Sequence, residues 1–355
     1  MVNVTCKNCF HIRFGRYEVI IMREKKNLLI FVLVAIGVPF LMGIPMSIVH
    51  GKGIDVSIFG NAQMFYPAAG VILCYVIFNW KDGLLPKKFF ISYLILTGMM
   101  MVCSFSLMFF DVMKVTTIFT IVISVGSIVV GICYLTEKKE NRIAYHINGG
   151  HWKVSWLMIG LFVVLYTLRI IICCVIDGSI GTIVSRDTLP MQIAFFIALP
   201  FSFFSAFTAF FGEEYGWRGY LQPILMNRFG RRKGVLLLGI IWGLWHLPLD
   251  LFFYAPETPF LSVLGHQITC ISLGIFFAYV YLKTENIWSV VLLHFLNNNL
   301  IPVFTGSANI ANSVITIKDI VILFVVNFVI FLPFLLSNVF SKKTESGKEQ
   351  IKVNI

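Results

Sequence analysis

Charged residues are scarce in this sequence. Only 13% of its 355 residues are Asp, Glu, Lys or Arg, whereas about 25% is usual for a soluble domain. Acidic residues are rarer than basic ones, with 17 Asp and Glu and 28 Lys and Arg. Together with 58% hydrophobic residues and a mean hydropathy of +0.86, this composition excludes a soluble globular domain and indicates a polytopic membrane protein.

Some chemical signatures are missing as well. The sequence contains no HExxH pair, and its one cytoplasmic CxxC spacing, Cys6 to Cys9, has no second pair with which to complete a zinc site. We therefore expect these two cysteines to be ordinary thiols. No internal repeat is visible, which counts against a transporter built from inverted halves.

Long apolar runs dominate the sequence instead. Each has roughly the 20 residues that a helix needs to cross the hydrocarbon core of a bilayer. We predict an all-α bundle of about ten transmembrane helices, or eight to ten if the weakest runs are discounted. Their approximate bounds are 28–49, 57–79, 89–110, 115–135, 154–176, 190–226 with a kink, 234–254, 261–282, 286–304 and 318–340.

Lysine and arginine collect in alternate connections between these runs. Because positive loops stay in the cytoplasm, this pattern predicts that both termini are cytoplasmic and that the protein is a multi-pass protein of the plasma membrane. The net charge of +11 is then explained by anionic lipid headgroups, and no nucleic-acid partner is expected. The clusters are Lys7, Arg13, Arg16, Arg23, Lys25 and Lys26; Lys81, Lys87 and Lys88; Lys138, Lys139, Arg142 and Lys153; and Arg228, Arg231, Arg232 and Lys233.

Polar side chains divide the chain into unequal regions. Residues 28–176 hold few ionisable groups inside their apolar runs and are predicted to be an N-terminal transmembrane scaffold. Residues 190–304 carry Glu, His, Asn and Arg at helical spacing, and ionisable groups at membrane depth are usually functional. We further predict a basic cytoplasmic segment over 1–27, a last transmembrane helix over 318–340 and a disordered cytoplasmic tail over 341–355.

Three stretches of this second region are predicted to converge. They are "EEYGWRG" from Glu213, "WGLWHLPLD" from Trp242 and "HFLNN" from His294. From the helical rise, Glu213 lies roughly 22 Å from the cytoplasmic rim, His246 roughly 20 Å and His294 roughly 14 Å. Similar depths from the same side favour one site inside the membrane that is reached from the cytoplasm.

The first stretch separates two carboxylates. Glu214 and Arg218 are four residues apart, so that the arginine can neutralise this carboxylate on one helix face. Glu213 points about 100° away and remains available as a general base. Taken alone, a Glu–Arg pair is more often structural than functional.

The other two stretches repeat the four-residue spacing. His246 precedes Asp250, which could orient or charge the imidazole, and His294 precedes Asn298, so that both can donate to a developing oxyanion. A single membrane histidine is more often an interhelical hydrogen-bond partner. Three such sites at one depth favour a functional cluster.

Two further polar residues are expected to lie apart from this cluster. Arg169 lies late in the fifth span, where its side chain is expected to snorkel to the outer interface. His266 lies near the outer end of the eighth span and is not expected to join the site.

The three motifs resemble those of the CPBP family, the CAAX-protease and bacteriocin-processing (Abi) intramembrane proteases related to the type II CAAX prenyl endopeptidase. "EEYGWR" fits the family's EExxxR motif, and "HFLNN" fits its HxxxN motif. "WGLWH" fits FxxxH with Trp242 in place of phenylalanine, and we expect this tryptophan to provide a similar aromatic wall. The resemblance covers about residues 200 to 300.

The resemblance implies a role for each motif residue. Glu213 and His246 would activate a water molecule, and His294 and Asn298 would bind the oxyanion of the scissile carbonyl. Glu214 and Arg218 would support them, with Glu214 also close to the water.

Metal dependence stays open at this stage. The family is commonly labelled metalloprotease, and a zinc ion, if present, would be held by Glu213, His246 and His294 and would activate the water. The same side chains can also act as a metal-free base and oxyanion hole.

The resemblance predicts an intramembrane endopeptidase that hydrolyses a peptide bond of a membrane-associated peptide or protein. Nothing in the sequence indicates a prenyl pocket, so CAAX processing is not implied; bacteriocin self-immunity and processing of secreted signalling peptides are settings known in the family. One alternative is a non-catalytic immunity or scaffold protein that binds a peptide or partner in the same cavity. Another is a transporter that uses Glu213, Arg218 and His246 as a proton relay.

Overall fold

The computed structural model describes residues 25–309 and 311–341. Within these ranges the regular structure is helical, without strands, and ten helices are long and apolar enough to cross a membrane. They are α1 Lys25–His50, α2 Ser57–Phe78, α3 Lys87–Ser106, α4 Val112–Leu135, α5 Trp152–Asp177, α6 Leu189–Phe229, α7 Arg231–Tyr254, α8 Pro259–Thr284, α9 Ile287–Thr305 and α10 Ile317–Leu336. The predicted all-α multi-pass bundle is confirmed.

Some sequence predictions fall outside the described residues. These are the Cys6–Cys9 pair, most of the basic segment over 1–27 and the tail after residue 341. Within the described part, α10 differs from its predicted bounds. Its α-helical portion ends at Phe331 and continues as a tighter turn over Leu332–Leu336, because Pro333 cannot donate the backbone hydrogen bond that an α-helix needs.

The helices that carry the first two motifs change geometry next to the motif residues. Helix α6 is α-helical from Leu189 to Glu214 and then becomes a π-helix over Tyr215–Leu221. Helix α7 is α-helical over Arg231–Trp245 and ends as a π-helix over Asp250–Tyr254. π-Helical turns are rare and occur frequently at functional sites. These two wide turns lie in the region that the motifs indicate, and a third lies in α1 over Leu33–Gly37.

Helix α6 forms one of the contacts between the two predicted regions. The hydroxyl of Tyr93 in α3 donates to the carbonyl of Thr208, and Ser127 in α4 shares a hydrogen bond of 2.6 Å with the Thr208 hydroxyl. Helix α6 also packs on α9, and α7 packs on α8. The N-terminal helices thus hold α6 from one side, while α9 lies against it as the carrier of the third motif.

Glycine permits a close approach between α6 and α2. A Cβ atom at Gly216 would lie 2.7 Å from the backbone carbon of Pro67, closer than packed atoms tolerate. Because the obstacle is backbone, it cannot move aside as a flexible side chain does. The glycine therefore fixes the distance between the two helices next to Glu214 and Arg218.

We predict that Gly216→Ala lowers the free energy of unfolding by about 1–3 kcal/mol, the usual cost of overpacking. Gly160→Ala in α5 is the control, because a Cβ there meets no atom within 4 Å; it should be neutral or slightly stabilising, since alanine favours helices. Unfolding by sodium dodecyl sulfate in mixed micelles, followed by circular dichroism, measures both. Equal stabilities of the two variants would contradict this account of the α2–α6 contact.

Candidate active site

Three helices bring their motif side chains into one buried cluster. Helix α6 provides Glu213, Glu214 and Arg218, α7 provides His246, and α9 provides His294. All five are buried, with relative exposures of 2%, 0%, 0%, 9% and 4% respectively. The predicted convergence of the three motifs is therefore present in the structure, apart from Asn298.

Glu214 connects Arg218 to His294. Its Oε1 accepts from Arg218 Nη1 at 3.4 Å and from His294 Nδ1 at 2.8 Å, and its Oε2 forms an ion pair with Arg218 Nε at 3.2 Å. Because both partners approach the same carboxylate, Arg218 offsets the charge that orients the imidazole. The predicted Glu214–Arg218 pair is present. The additional contact between Glu214 and His294 could not be predicted from the spacing.

Glu213 has its two oxygens in different environments. Its Oε2 accepts a hydrogen bond of 2.7 Å from the indole N–H of Trp242. Its Oε1 lies 4.0 Å from His294 Nε2, which is too long for a direct hydrogen bond. Oε2 is thus held in place, while Oε1 has no direct hydrogen bond among the described residues.

The tautomer of His246 follows from its partner. The Nδ1 atom lies 2.9 Å from the backbone carbonyl oxygen of Trp242, and a carbonyl can only accept, so Nδ1 carries the hydrogen. In a neutral ring Nε2 is then the acceptor, as a group that binds a water molecule needs to be. The ring does not hydrogen-bond Glu213 directly; Trp242 lies between them.

Asp250 does not pair with His246, so the predicted contact was wrong. Its Oδ1 accepts from the hydroxyl of Ser262 at 2.6 Å and from Nδ1 of His266 in α8. Two causes account for the difference. Asp250 Oδ1 is engaged by Ser262 and His266, and His246 Nδ1 is already bound to the carbonyl of Trp242.

His266 joins the cluster, contrary to expectation. Its ring stacks on that of His246, with centroids 4.7 Å apart and planes 6° from parallel. The sequence held a usable signal, because Ser262, His266 and Cys270 recur every four residues and so share one face of α8. That face lies against α7, where Cys270 Sγ is 3.9 Å from His246 Nδ1.

Asn298 lies outside this network of contacts. It follows His294 by one helical turn, but its side chain is exposed, and its Oδ1 accepts from Asn297 Nδ2 at 2.8 Å. No hydrogen bond joins it to His294. It lies where an incoming chain can reach it rather than among the buried groups.

Arg169 is an interhelical donor. Its Nε lies 2.6 Å from Asn327 Oδ1 in α10, and its guanidinium lies 5.1 Å from the ring centre of Tyr166. The expectation that it snorkels to the interface was wrong, because a partner amide is available within the bundle.

A zinc ion does not fit the side chains as they are arranged. Among the described residues, no three His, Cys, Asp or Glu side chains are placed to hold a metal ion. The mechanism below therefore uses the side chains alone.

The fold and the cluster define a multi-pass helical membrane protein with glutamate, arginine and histidine buried between three helices. Residues 195–300 match the family model described as type II CAAX prenyl endopeptidase Rce1-like. A CAAX prenyl protease 2 from Methanococcus maripaludis is 31% identical over 120 residues, which cover 32% of this chain and 40% of the relative. No solved structure gives a significant match.

Both comparisons confirm the predicted resemblance to the CAAX protease family, which lies in the segment over 195–300. This segment contains every residue of the buried cluster. The match spans less than half the length of the curated relative, and the helices before α6 lie outside the family model.

We predict that Glu214→Gln lowers the free energy of unfolding by about 3–5 kcal/mol, because it leaves the buried guanidinium of Arg218 without a counter-charge. Asp177→Asn is the matched control. Its partner Lys318 is 3.3 Å away, and the two side chains are 47% and 61% exposed, so that this change should have little effect. Mixed-micelle unfolding curves compare the two variants, and similar losses from both would contradict a stabilising role for the buried pair.

Proposed function

We propose that this protein is an intramembrane endopeptidase in which Glu213 acts as the general base. The observation that carries the proposal is the divided environment of Glu213. One carboxylate oxygen is held by Trp242, and the other faces His294 across 4.0 Å without a hydrogen bond. A contact of this length between polar atoms suits a bridging water molecule, and the similarity of this segment to a protease family supports the same chemistry.

The reaction proceeds by direct attack of water. Glu213 Oε1 takes a proton from the water molecule while the water oxygen bonds to the scissile carbonyl carbon. His246 Nε2 accepts the second hydrogen of that water as a hydrogen bond and so orients it. When the tetrahedral intermediate collapses, the C–N bond breaks and Glu213 returns its proton to the leaving amine.

His294 and Asn298 stabilise the oxyanion. Glu214 accepts from His294 Nδ1 at 2.8 Å, so that Nε2 can donate only when the ring carries two protons. Glu213 and Glu214 both lie beside the His294 ring and compensate the positive charge of its doubly protonated form. Arg218 in turn offsets the negative charge of Glu214. Asn298, exposed one turn further along α9, adds its amide when the substrate arrives.

The substrate that we propose is a membrane-associated peptide or protein of the plasma membrane, and the lipid bilayer is the other partner. The cluster is buried among helices whose other faces are apolar, so that a substrate anchored in lipid would reach it without leaving the membrane. Self-immunity to a bacteriocin, or maturation of a secreted peptide, would supply such a substrate. We propose no nucleic-acid partner.

We predict that Glu213→Gln reduces cleavage at least about 100-fold, the lower end of what general-base catalysis contributes. The assay uses purified protein in detergent with a library of membrane-anchored peptides, with and without a chelator. Glu257→Gln is the control, because this glutamate is exposed in the connection between α7 and α8 and should retain full activity.

Unchanged cleavage by Glu213→Gln would contradict the mechanism. Loss of wild-type activity in the chelator would show that a metal takes part after rearrangement of the side chains. Absence of cleavage by the wild type across the library would favour the alternative of a non-catalytic immunity or scaffold protein.

A further inference from the structure

Trp242 contacts residues of all three motifs, which the spacing of residues in the sequence does not predict. It is 3% exposed, and its indole N–H donates to Glu213 Oε2 at 2.7 Å. Its ring lies 4.3 Å from the guanidinium of Arg218 and 5.5 Å, at 77°, from the ring of His294. Its own carbonyl oxygen receives His246 Nδ1. The residue thus touches all three motifs.

We propose that Trp242 is a positioning residue that fixes the orientation of the Glu213 carboxylate; this inference rests on the proposed function. Among the described residues, the indole is the single hydrogen-bond donor to Glu213. Holding Oε2 also fixes the direction of Oε1, which lies on the side of His294. Without the donor, the carboxylate can rotate about its last bond, and a buried oxygen loses its partner.

The donor is the feature that phenylalanine lacks. The ring of Trp242 contacts Arg218, His294 and Phe277, as expected of an aromatic wall, and a phenylalanine ring could largely reproduce these contacts. Phenylalanine has no equivalent of the indole N–H group. This chain therefore carries a contact to its general base that the FxxxH form of the motif does not provide.

The ring contacts explain why the donor is well aimed. Arg218 covers one face, and Phe277 and His294 enclose the ring at centroid distances of 6.1 and 5.5 Å. Buried aromatic pairs of this kind hold a preferred geometry. Arg218 and His294 thus hold the indole ring, and the ring in turn aims its N–H group at Glu213.

The test replaces the donor without changing the shape. Amber suppression at position 242 introduces 3-benzothienylalanine, in which sulfur replaces the indole N–H, and Trp242→Phe is made alongside. We expect kcat to fall about 10- to 100-fold in both, the range that follows from a misplaced catalytic group. KM should stay within twofold, since Trp242 is buried and does not meet the substrate.

The control is the same replacement at Trp288 in α9. Its indole N–H also donates two hydrogen bonds, both partly buried, to the hydroxyl of Tyr134 and the carbonyl of Ile147, but it does not touch Glu213. We expect less than a twofold change in kcat. A wild-type kcat in the benzothienylalanine variant at 242, or an equal fall at 288, would overturn the proposal.

A second measurement separates this inference from the proposed function. In protein labelled with ¹⁵N-tryptophan, the indole resonance of Trp242 is the one that disappears in Trp242→Phe, among seven tryptophans. We expect Glu213→Ala to move this resonance upfield and Glu257→Gln to leave it in place. If the wild type cleaves nothing, the proposed function fails while the contact is still tested; an unmoved resonance in Glu213→Ala overturns the positioning role in either case.

Discussion

The buried ion pair between Glu214 and Arg218 is the interaction on which the rest of the site depends. Both side chains are fully buried, and an isolated charge at this depth would be strongly destabilising. Their pairing allows Glu214 to bind His294 and Arg218 to pack over Trp242. These two neighbours then determine the surroundings of Glu213. The ion pair thus positions the rings of His294 and Trp242, and these rings in turn position the carboxylate that we propose as the base.

The helices supply the geometry that this arrangement needs. Gly216 lets α6 approach α2, and the π-helical turn that begins at Tyr215 starts directly after Glu214. In α7, Asp250 binds Ser262 and His266 of α8 rather than His246. The cluster is thus extended by a second acid–histidine pair, in which Asp250 is buried and His266, partly exposed, stacks on His246.

Much of this could be predicted from the sequence, for identifiable reasons. Hydropathy defines the ten spans because lipid requires long apolar helices, and the four-residue spacing predicted the pairing of Glu214 with Arg218. The same rule failed for His246 and Asp250, because each side chain has another partner, the carbonyl of Trp242 for His246 and the side chains of Ser262 and His266 for Asp250. The indole bond to Glu213 joins two helices, and sequence spacing carries no information about how a ring on one helix points at another.

Direct attack of water activated by Glu213 is the central claim, and isotope incorporation tests it most directly. Cleavage is carried out over several turnovers in H₂¹⁸O. The masses of the products, and of the enzyme's own peptide that contains Glu213, are then measured by mass spectrometry. The account predicts one ¹⁸O in the new carboxyl terminus of the product and none in Glu213. Incorporation of ¹⁸O into the Glu213 carboxylate would show a covalent acyl-enzyme and contradict the account.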